Sequence, residues 1–489
     1  MTTETAPTSA AVDPAAAPPP AAVGHPKRWL ILFVVLAVEC MDLLDGTIVN
    51  VAAPSISSEL HASTAALQWI VGGYALALAV GLVLGGRLGD LFGRRRLFIV
   101  GIVGFTASSL LCGIAPNAGV LIAFRLLQGG AAALMIPQGF GIIRSAFSTE
   151  ELPKAFGLFG PVIGLSAVLG PIVGGALVDA DLFGTGWRLV FLVNLPLGIA
   201  AVAGAIALLP ESRTPGVSRL DGVGAVLVAA AVGLLVYPLI QGRELDWPAW
   251  TFAMMAASGV LFVVFGLHER ARERAGRDPL VTTSIFAKRA YVSGTLVLLL
   301  FFAAMMGLML VLTLYLQLGL GFSAIHAGLT LVPQSLGMAV GAGLAGAVLA
   351  PRFGRHVLHV GLLLMAAGMV ALLAVVNHNG LEVTSLQLAG PQLIAGVGIG
   401  FVVAPLFSLV LAAVGDEEVG SASGVLNAVQ QLGAAVGIAV IGTVFFTVLG
   451  DGGFTVAFER VVIWVLVVIA AAAALALLLP RQPRPEEVH

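Results

Sequence analysis

Long apolar stretches recur along this chain, separated by short polar, glycine-containing or proline-containing segments. Eight of them lie near residues 29–53, 66–86, 97–115, 119–141, 154–177, 188–209, 221–241 and 249–267. After a charged stretch, six more lie near residues 290–318, 327–349, 357–376, 387–413, 421–449 and 461–479. Most are close to the roughly 20 residues that a helix needs to cross a bilayer. The pattern predicts an all-α polytopic membrane protein with fourteen transmembrane helices.

Composition supports this prediction and excludes several other classes of protein. Of 489 residues, 59% are hydrophobic and 10% are charged, whereas a soluble domain has about 25% charged residues. The two cysteines, Cys40 and Cys112, both lie in apolar segments, so neither a disulfide framework nor a cysteine-rich metal site is available. No segment resembles a nucleotide-binding P-loop, so ATP is not the expected energy source. We expect no metal, no cofactor and no nucleic-acid partner.

The distribution of basic residues predicts the orientation of the chain. With the N-terminus inside, 20 of the 24 lysines and arginines fall on the cytoplasmic side or at its helix ends, three fall outside and one, Arg125, lies within a helix. Cytoplasmic loops are enriched in Lys and Arg, and a wrong helix count would scramble this bias. Both termini are therefore predicted to be cytoplasmic. The preference for arginine over lysine, with much Ala and Gly, hints at a GC-rich bacterial genome, so the membrane is predicted to be a bacterial plasma membrane.

The hydrophilic stretch after the eighth apolar run divides the chain unequally, and a short echo suggests a repeat. GDLFGRRR (89–96) follows the second predicted helix, and APRFGRH (350–356) follows the tenth. Internal repeats with a site between them are typical of secondary transporters. The predicted units are a disordered tail (1–27), a six-helix bundle (28–210), two inserted helices (211–267), a cytoplasmic linker (268–289), a second six-helix bundle (290–480) and a short tail (481–489).

Three acids interrupt the first apolar run. Glu39, Asp42 and Asp45 would each cost about 2.5–3.5 kcal/mol if they faced lipid at the bilayer centre. Neighbouring acids are three residues apart, hence roughly 60° apart around a helix, so all three fit one arc and leave the opposite arc apolar. This helix is predicted to line an ionisable cavity.

Arg125 is the basic residue predicted to lie inside a membrane helix. It lies roughly 9 Å below the outer boundary, and Asp42 and Asp45 lie roughly 20 and 24 Å above the inner one, in a core of about 30 Å. Because these depths agree, Arg125 can pair with either acid. A proton would then compete with Arg125 for the carboxylate; the alternative is a static structural ion pair.

Five motifs occur in order along the first half of the chain. They are LDGTIVNVAAP (44–54), GGRLGDLFGRRR (85–96), RLLQGGAAA (125–133), GLSAVLGPIVGG (164–175) and WRLVFLVNLPLG (187–198). This series resembles the signatures of the major facilitator superfamily, specifically its fourteen-spanner drug–proton antiporter family. The resemblance implies the major facilitator fold, with two six-helix bundles that rock about a central cavity and export a small molecule against proton entry.

The resemblance also assigns roles to particular residues. It places Asp45 at the motif position for proton coupling and Arg125 against the first helix, and it gives Asp90 and Arg94 the role of a conformational gate. Asp42 and Glu39 are extra relative to the motif and remain candidates for proton coupling because of their place in the first helix. It identifies the segment containing Gly164, Gly170, Pro171 and Gly174 as the antiporter motif. The alternatives are that Arg94 and its neighbours only set topology, and that the glycines form an ordinary packing ridge. The second copy of the gate motif has Pro351 where the first has Asp90, so a matching gate there is doubtful.

Uncharged polar and aromatic residues on the predicted helices are candidates for substrate binding. The alternative is that these residues only form hydrogen bonds between helices, as polar side chains in membrane proteins often do. No clear membrane-buried acid follows residue 290, so proton coupling is expected in the N-terminal half. The substrate-binding candidates are Asn50, Gln128, Tyr315, Gln317, Gln334, Asn427 and Gln430.

These observations together predict a monomeric exporter of amphipathic small molecules, driven by the proton gradient. A second possibility is the export of one dedicated metabolite or self-made antibiotic. Import by symport is disfavoured by the antiporter motif. A membrane enzyme or sensor is disfavoured because the sequence shows no convincing nucleophile–base or metal-ligand constellation.

Overall fold

The chain folds as a bundle of long helices. The computed structural model describes residues 25–148, 150–211, 221–415 and 418–479, and within these ranges every regular element is helical. The α-helices are α1 (Arg28–Glu59), α2 (Thr64–Phe92), α3 (Arg94–Gly113), α4 (Ala118–Ala146), α5 (Leu152–Gly157), α6 (Phe159–Ala180), α7 (Leu189–Leu192), α8 (Asn194–Leu208), α9 (Gly222–Gln241), α10 (Ala249–Arg274), α11 (Arg289–Leu314), α12 (Ala324–Thr330), α13 (Val332–Leu344), α14 (Ala350–Phe353), α15 (Arg355–Asn379), α16 (Ser385–Leu411) and α17 (Val419–Ala476).

Eleven helical segments of the described chain are long and apolar enough to cross a membrane. Three further features bear on the predicted fourteen. Helix α1 is 32 residues long but carries the three acids, and the apolar part of α6 is short. Helix α17 has 58 residues, about 87 Å at 1.5 Å per residue, and contains a break at Gly453 (φ 75°). The membrane-spanning all-helical fold is confirmed, and the count of fourteen stays a prediction.

Polar side chains begin several of these helices where the apolar pattern starts. The Ser63 hydroxyl accepts a hydrogen bond from Ala66 N–H at the start of α2, and the Asn117 side chain accepts one from Val120 N–H at the start of α4. Asp221 caps α9 in the same way. Such caps satisfy donors that the first turn of a helix leaves unpaired. The helix starts therefore follow from local sequence.

Two helical groups and an inserted pair make up the packing. Helices α1–α4, α6 and α8 pack together, as do α11, α13 and α15–α17. Helices α9 and α10 pack against each other, and α9 also packs on α2 and α17. The linker predicted at 268–289 starts later in the structure, because α10 continues as a helix to Arg274. The tails at 1–24 and 480–489 lie outside the described residues.

The echo in the sequence corresponds to two similar turns. Gly93 joins α2 to α3 with φ 99°, and Gly354 joins α14 to α15 with φ 51°. Both backbones lie in the region that favours glycine because a side chain would be strained there. The FGR sequence of both copies thus serves the same purpose, a sharp reversal between two helices.

Candidate functional site

A buried ion pair lies at the centre of the N-terminal helices. Arg125 Nη1 on α4 lies 2.6 Å from Asp45 Oδ2 on α1, and the two side chains are 1% and 0% exposed. The depths estimated from sequence allowed this pairing, and the structure selects Asp45. An ion pair removed from solvent is stable only when additional hydrogen bonds satisfy its remaining donors and acceptors.

Two amide side chains complete the shell of Asp45. Gln128 Nε2 and Asn194 Nδ2 each donate to Asp45 Oδ1 at 2.9 Å. The same two amides also donate to Ser109 Oγ, at 2.8 and 2.9 Å. Every group that the structure places on the Asp45 oxygens is an N–H donor, which fits an ionised carboxylate because that group only accepts.

Further contacts hold the Arg125 guanidinium in place. Its Nε donates to the backbone oxygen of Ile70 at 3.1 Å, and its Nη1 donates to Gln128 Oε1 at 2.7 Å. Its Cζ lies 4.4 Å from the centre of the Tyr74 ring, a cation–π arrangement. Helices α1, α2, α3, α4 and α8 therefore all contribute to one buried network.

The other two acids of α1 face neighbouring helices. The Tyr74 hydroxyl on α2 donates to Asp42, whose side chain is nearly buried. Glu39 is half-buried, and its Oε1 lies close to Gly139 on α4. The three acids therefore extend from the ion pair along the protein-facing side of α1, as the arc in the sequence predicted.

Asp90 and Arg94 meet at the turn between α2 and α3. Arg94 Nη2 lies 3.0 Å from Asp90 Oδ1, and Arg94 Nη1 donates to the backbone oxygen of Gly141 on α4 at 3.2 Å. Arg94 thus joins three helices at the end where the N-terminal bundle carries its basic residues. Its role as a gate stays a prediction.

The glycines of α6 allow close packing on two sides. A methyl group on Gly170 would collide with Thr47 of α1, and one on Gly174 would lie 3.2 Å from Ile48 of α1, which is a tight contact. Gly164 faces Ala339 of α13, in the C-terminal half of the chain. The ridge predicted from the sequence is therefore a contact surface of α6 that packs on α1 of the same bundle and on α13 of the other bundle.

Contacts between the two halves close the end of the molecule opposite Arg94. Asp179 of α6 accepts hydrogen bonds from the backbone N–H groups of Ala324 and Ile325, the first residues of α12. Beside them, α12 packs closely on α6, because a Cβ added to Gly328 would collide with the backbone oxygen of Pro171. Gln317 Nε2, in a π-helical turn after α11, donates to Val51 O of α1 at 2.8 Å.

The substrate-binding candidates do not gather at one place. Gln128 belongs to the ion-pair network, and Gln317 bridges the two halves. Tyr315 is fully buried, donates to Gly380 O at 3.0 Å and stacks on Phe458.

The other four candidates are also distributed along the helices. Asn50 and Asn427 donate to backbone oxygens of their own helices, at 2.9 and 3.1 Å, and the Asn50 oxygen is buried without a partner. Gln334 and Gln430 are half-buried on α13 and α17. Their role in substrate binding stays a prediction.

Sequence reasoning missed four polar residues that the structure makes central. Asn194, Ser109 and Tyr74 complete the ion-pair network, and Gln68 of α2 donates to the backbone oxygens of Ile438 and Ala439 of α17, both at 3.0 Å. The signal for Asn194 was its place in the motif WRLVFLVNLPLG. Ser109, Tyr74 and Gln68 are polar residues within apolar helices, and no motif singled them out.

A half-buried acid is also present in the C-terminal half, where the sequence showed no clear one. Glu459 follows the break in α17, and its Oε1 lies 2.5 Å from the side-chain amide of Asn377. It lies close to the end of α15, at the same end of the molecule as Gln317.

Membrane-spanning helices, a buried ionisable network and close contacts between two helical groups are features of membrane transporters. The family model of the Major Facilitator Superfamily matches residues 35–438 and, again, 355–489. The chain belongs to this superfamily, and the resemblance seen in its sequence is confirmed.

Relatives in the same superfamily cover most of the chain. It is 51% identical over 437 residues to the probable actinorhodin transporter of Streptomyces coelicolor, covering 89% of this chain and 75% of that protein. It is 38% identical to the puromycin resistance protein pur8 of Streptomyces alboniger (86% and 82% covered) and 34% identical to the tetracenomycin C resistance and export protein of Streptomyces glaucescens (87% and 77% covered).

Solved structures confirm the fold. A crystal structure of a POT family transporter in complex with 5-aminolevulinic acid has a TM-score of 0.67 and 14% identity, covering 91% of this chain and 95% of that one. A peptide transporter POT in complex with sulfate has a TM-score of 0.65 at 16% identity, covering 93% and 96%. At these identities the comparison shows the fold alone.

Proposed function

We propose that this protein exports antibiotics or other amphipathic small molecules across the plasma membrane, in exchange for protons, by alternating access. Two observations support the proposal. The relatives include proteins named for antibiotic transport, resistance and export. The Asp45–Arg125 pair is a buried ionisable group within the helical bundle, where ionisable residues are expensive and usually functional. The second observation carries the proton-coupled part of the proposal.

Protonation of Asp45 would disturb the whole network. A proton removes the charge opposite Arg125, and removal of one partner from a buried ion pair costs about 3–5 kcal/mol. The guanidinium must then find another acceptor or move, and Asp42 lies on the same helix next to the Tyr74 ring that Arg125 already covers. Proton binding is therefore linked to a shift of α1 against α2 and α4.

The same helix carries contacts that close the molecule at the other end of its bundle. Val51, six residues after Asp45 and hence about 9 Å along α1, accepts the hydrogen bond from Gln317. Gly170 and Gly174 of α6 pack on the intervening turn of α1. A shift of α1 at Asp45 would thus reach the contact between the halves, which is what exchange of two ligands requires.

A dedicated exporter of one antibiotic is the second candidate. It is favoured by relatives named for a single compound, among them actinorhodin and tetracenomycin C. Another relative, at 31% identity, is named multidrug resistance protein Stp, from Mycobacterium tuberculosis.

We also propose that the protein is a monomer with both termini in the cytoplasm.

The test uses purified protein in liposomes with an internal pH dye. A panel of cationic and neutral antibiotics is added, and substrate-dependent proton movement is recorded for the wild type, Asp45→Asn and the control Asp181→Asn, which changes an exposed acid. We expect the wild type and Asp181→Asn to move protons in the direction opposite to the antibiotic. Asp45→Asn should show no such proton flux. Coupled flux in Asp45→Asn would refute the assignment of Asp45, and drug movement without protons would refute antiport. Silence across the panel would favour a single dedicated substrate.

A further inference from the structure

A cavity of about 500 Å³ lies where the inserted helices cover the seam between the two halves. Its volume is within the range of about 300–1,000 Å³ that is usual for ligand sites. Helix α2 of the first half and α17 of the second half form two of its walls, and α9 and α10 form the others. Its wall residues are mostly aliphatic or aromatic, among them Val80, Val83, Val228, Phe262, Val429 and Leu432.

The charged groups of this cavity are confined to one end. Glu269 and Arg270 lie there, near the end of α10, together with Thr283 of the linker. Glu269 is buried, and its Oε2 accepts a hydrogen bond from Val281 N–H at 3.1 Å. Arg270 is exposed at the rim. The positive-inside rule assigns this arginine-rich end to the cytoplasmic leaflet.

A cluster of side chains fixes the charged end in place. Asp221 caps the start of α9. Its Oδ2 also lies 2.9 Å from His268 Nε2 and 3.3 Å from Arg272 Nε, both on α10. Asp221, His268 and Glu269 lie within 4.8 Å of one another, a spacing that could suit a cation, but Arg272 already supplies positive charge to Asp221. The cluster therefore joins α9, α10 and the linker, and Arg270 remains directed to the rim.

We propose that this cavity binds an anionic phospholipid of the cytoplasmic leaflet, with an acyl chain among the valines and the phosphate at Arg270. A hydrocarbon chain needs no hydrogen-bond partner, whereas a polar antibiotic would bury unpaired groups against these walls. An arginine at the cytoplasmic end of a transmembrane helix attracts anionic headgroups, and Arg270 supplies that charge at the rim of this cavity. The inference concerns a site apart from Asp45 and does not rest on proton coupling.

The position of the cavity gives the bound lipid a consequence for transport. It would contact α2 and α17 at once, and under the alternating access proposed above these helices belong to the halves that move against each other. A ligand that binds one arrangement of the seam better than another shifts the population toward that arrangement. Phospholipid composition should therefore change the rate of transport without any contact between the lipid and the Asp45–Arg125 ion pair.

The test measures lipid binding to delipidated, purified protein in a neutral detergent. Native mass spectrometry counts retained lipids, and thermal unfolding is followed while phosphatidylglycerol, phosphatidylcholine or glycerol phosphate is added. We expect a retained phosphatidylglycerol and a rise in unfolding temperature that saturates with phosphatidylglycerol alone. Equal effects of the two phospholipids would overturn the headgroup assignment. A rise with glycerol phosphate alone would indicate a free anion site instead.

Two pairs of variants locate the lipid. Arg270→Gln should raise the half-saturating concentration of phosphatidylglycerol about fivefold, the effect of one cation near a lipid headgroup, and the control Arg274→Gln should not. Val228→Phe, which fills the cavity, should lose the retained lipid, whereas Val226→Phe changes an exposed valine of the same helix and should keep it. Equal binding in all four variants would refute the site, and displacement of the lipid by an exported antibiotic would make the cavity a substrate site.

Discussion

Asp179, near the end of α6, accepts a hydrogen bond of 2.9 Å from the backbone N–H of Ile325 in the first turn of α12. Its other carboxylate oxygen accepts one of 3.2 Å from Ala324 N–H. A carboxylate at a helix N-terminus satisfies unpaired donors and interacts favourably with the helix dipole. A side chain of one half of the molecule thus caps a helix of the other half.

Removal of this cap should favour the arrangement in which that end of the molecule is open. An N-cap contributes about 0.5–2 kcal/mol, so Asp179→Ala should change the ratio of open to closed molecules by roughly 2- to 30-fold. Electron-electron distances between spin labels at Ile114 and Leu381, which are exposed on either half, would report it. Asp451→Ala, which changes an exposed acid, is the control. A distance distribution that Asp179→Ala leaves unchanged would contradict the proposed closure.

A methyl group on Gly175 should also separate α6 from α12. The Cβ of alanine there would lie 2.5 Å from Ala324 O and from Ile325 Cα, both backbone atoms that cannot rotate away. Overpacking of this kind costs about 1–3 kcal/mol. We expect Gly175→Ala to lower antibiotic export in cells, with normal amounts of protein in the membrane.

Gly343→Ala is the matched control for this experiment, because nothing lies within 4 Å of the added methyl group. Both variants change a glycine in a membrane helix and have similar effects on helix propensity. Equal export by the two variants would show that the close approach of α6 and α12 is not needed for transport.

The ion pair makes a prediction about stability that is separate from transport. Asp45→Asn and Arg125→Gln each leave one buried charge without its partner, and each should lower the free energy of unfolding by about 3–5 kcal/mol. The double variant carries no such charge, so it should be more stable than either single variant. Thermal unfolding of the four proteins in detergent forms a double-mutant cycle.

Proton coupling should be absent in the double variant although its stability recovers. This combination separates a folding defect from a transport defect in the liposome experiment. Losses that add in the double variant would show that the two residues do not interact in the folded protein.

The sequence predicted that Arg125 pairs with Asp42 or Asp45, because depth in a membrane helix follows from counting residues, and the structure shows the pair with Asp45. It did not predict Asn194 or Ser109 as partners, because their contacts depend on how α3 and α8 rotate and tilt, which packing decides. It also placed Gln317 among the substrate-binding candidates, whereas in the structure this side chain bonds to Val51 across the two halves. Hydropathy identifies a polar residue in a membrane helix but does not identify its partner.

Helix boundaries show the same division between local and tertiary information. The start of α9 follows from Asp221, a capping residue before an apolar run. The end of α10 does not follow from hydropathy, because Arg272 and Glu273 extend the helix beyond the apolar part through contacts with Asp221 and Thr283. Tertiary contacts therefore lengthened a helix that the polar pattern had ended.

Acid should release the linker between α10 and α11. Hydrogen bonds from Lys288, Ser284 and the Gly415 N–H lower the pKa of Glu418 from 4.5 to about 2. Because this pKa is depressed in the folded protein, the stabilisation is present above pH 4.5 and is lost as the pH falls toward 2. Pepsin cleavage within residues 275–288 should therefore increase over that range.

Glu418→Gln lacks the charge at every pH, so its linker should already be cleaved at pH 4.5. Asp278→Asn, which changes an exposed acid of the same linker, should be cleaved like the wild type. Identical cleavage of the wild type and Glu418→Gln throughout this range would show that Glu418 does not hold the linker.

The charges of α1 also constrain how the chain enters the membrane during synthesis. Arg125 follows Asp45 by 80 residues, so three helices leave the ribosome before the partner of this acid is made. Alone in lipid, each acid of α1 would cost about 2.5–3.5 kcal/mol. We expect α1 to remain beside the insertion machinery, or to be held by it again, until α4 emerges. The first four helices would then assemble together only after α4 has been made, and formation of the ion pair would complete that assembly.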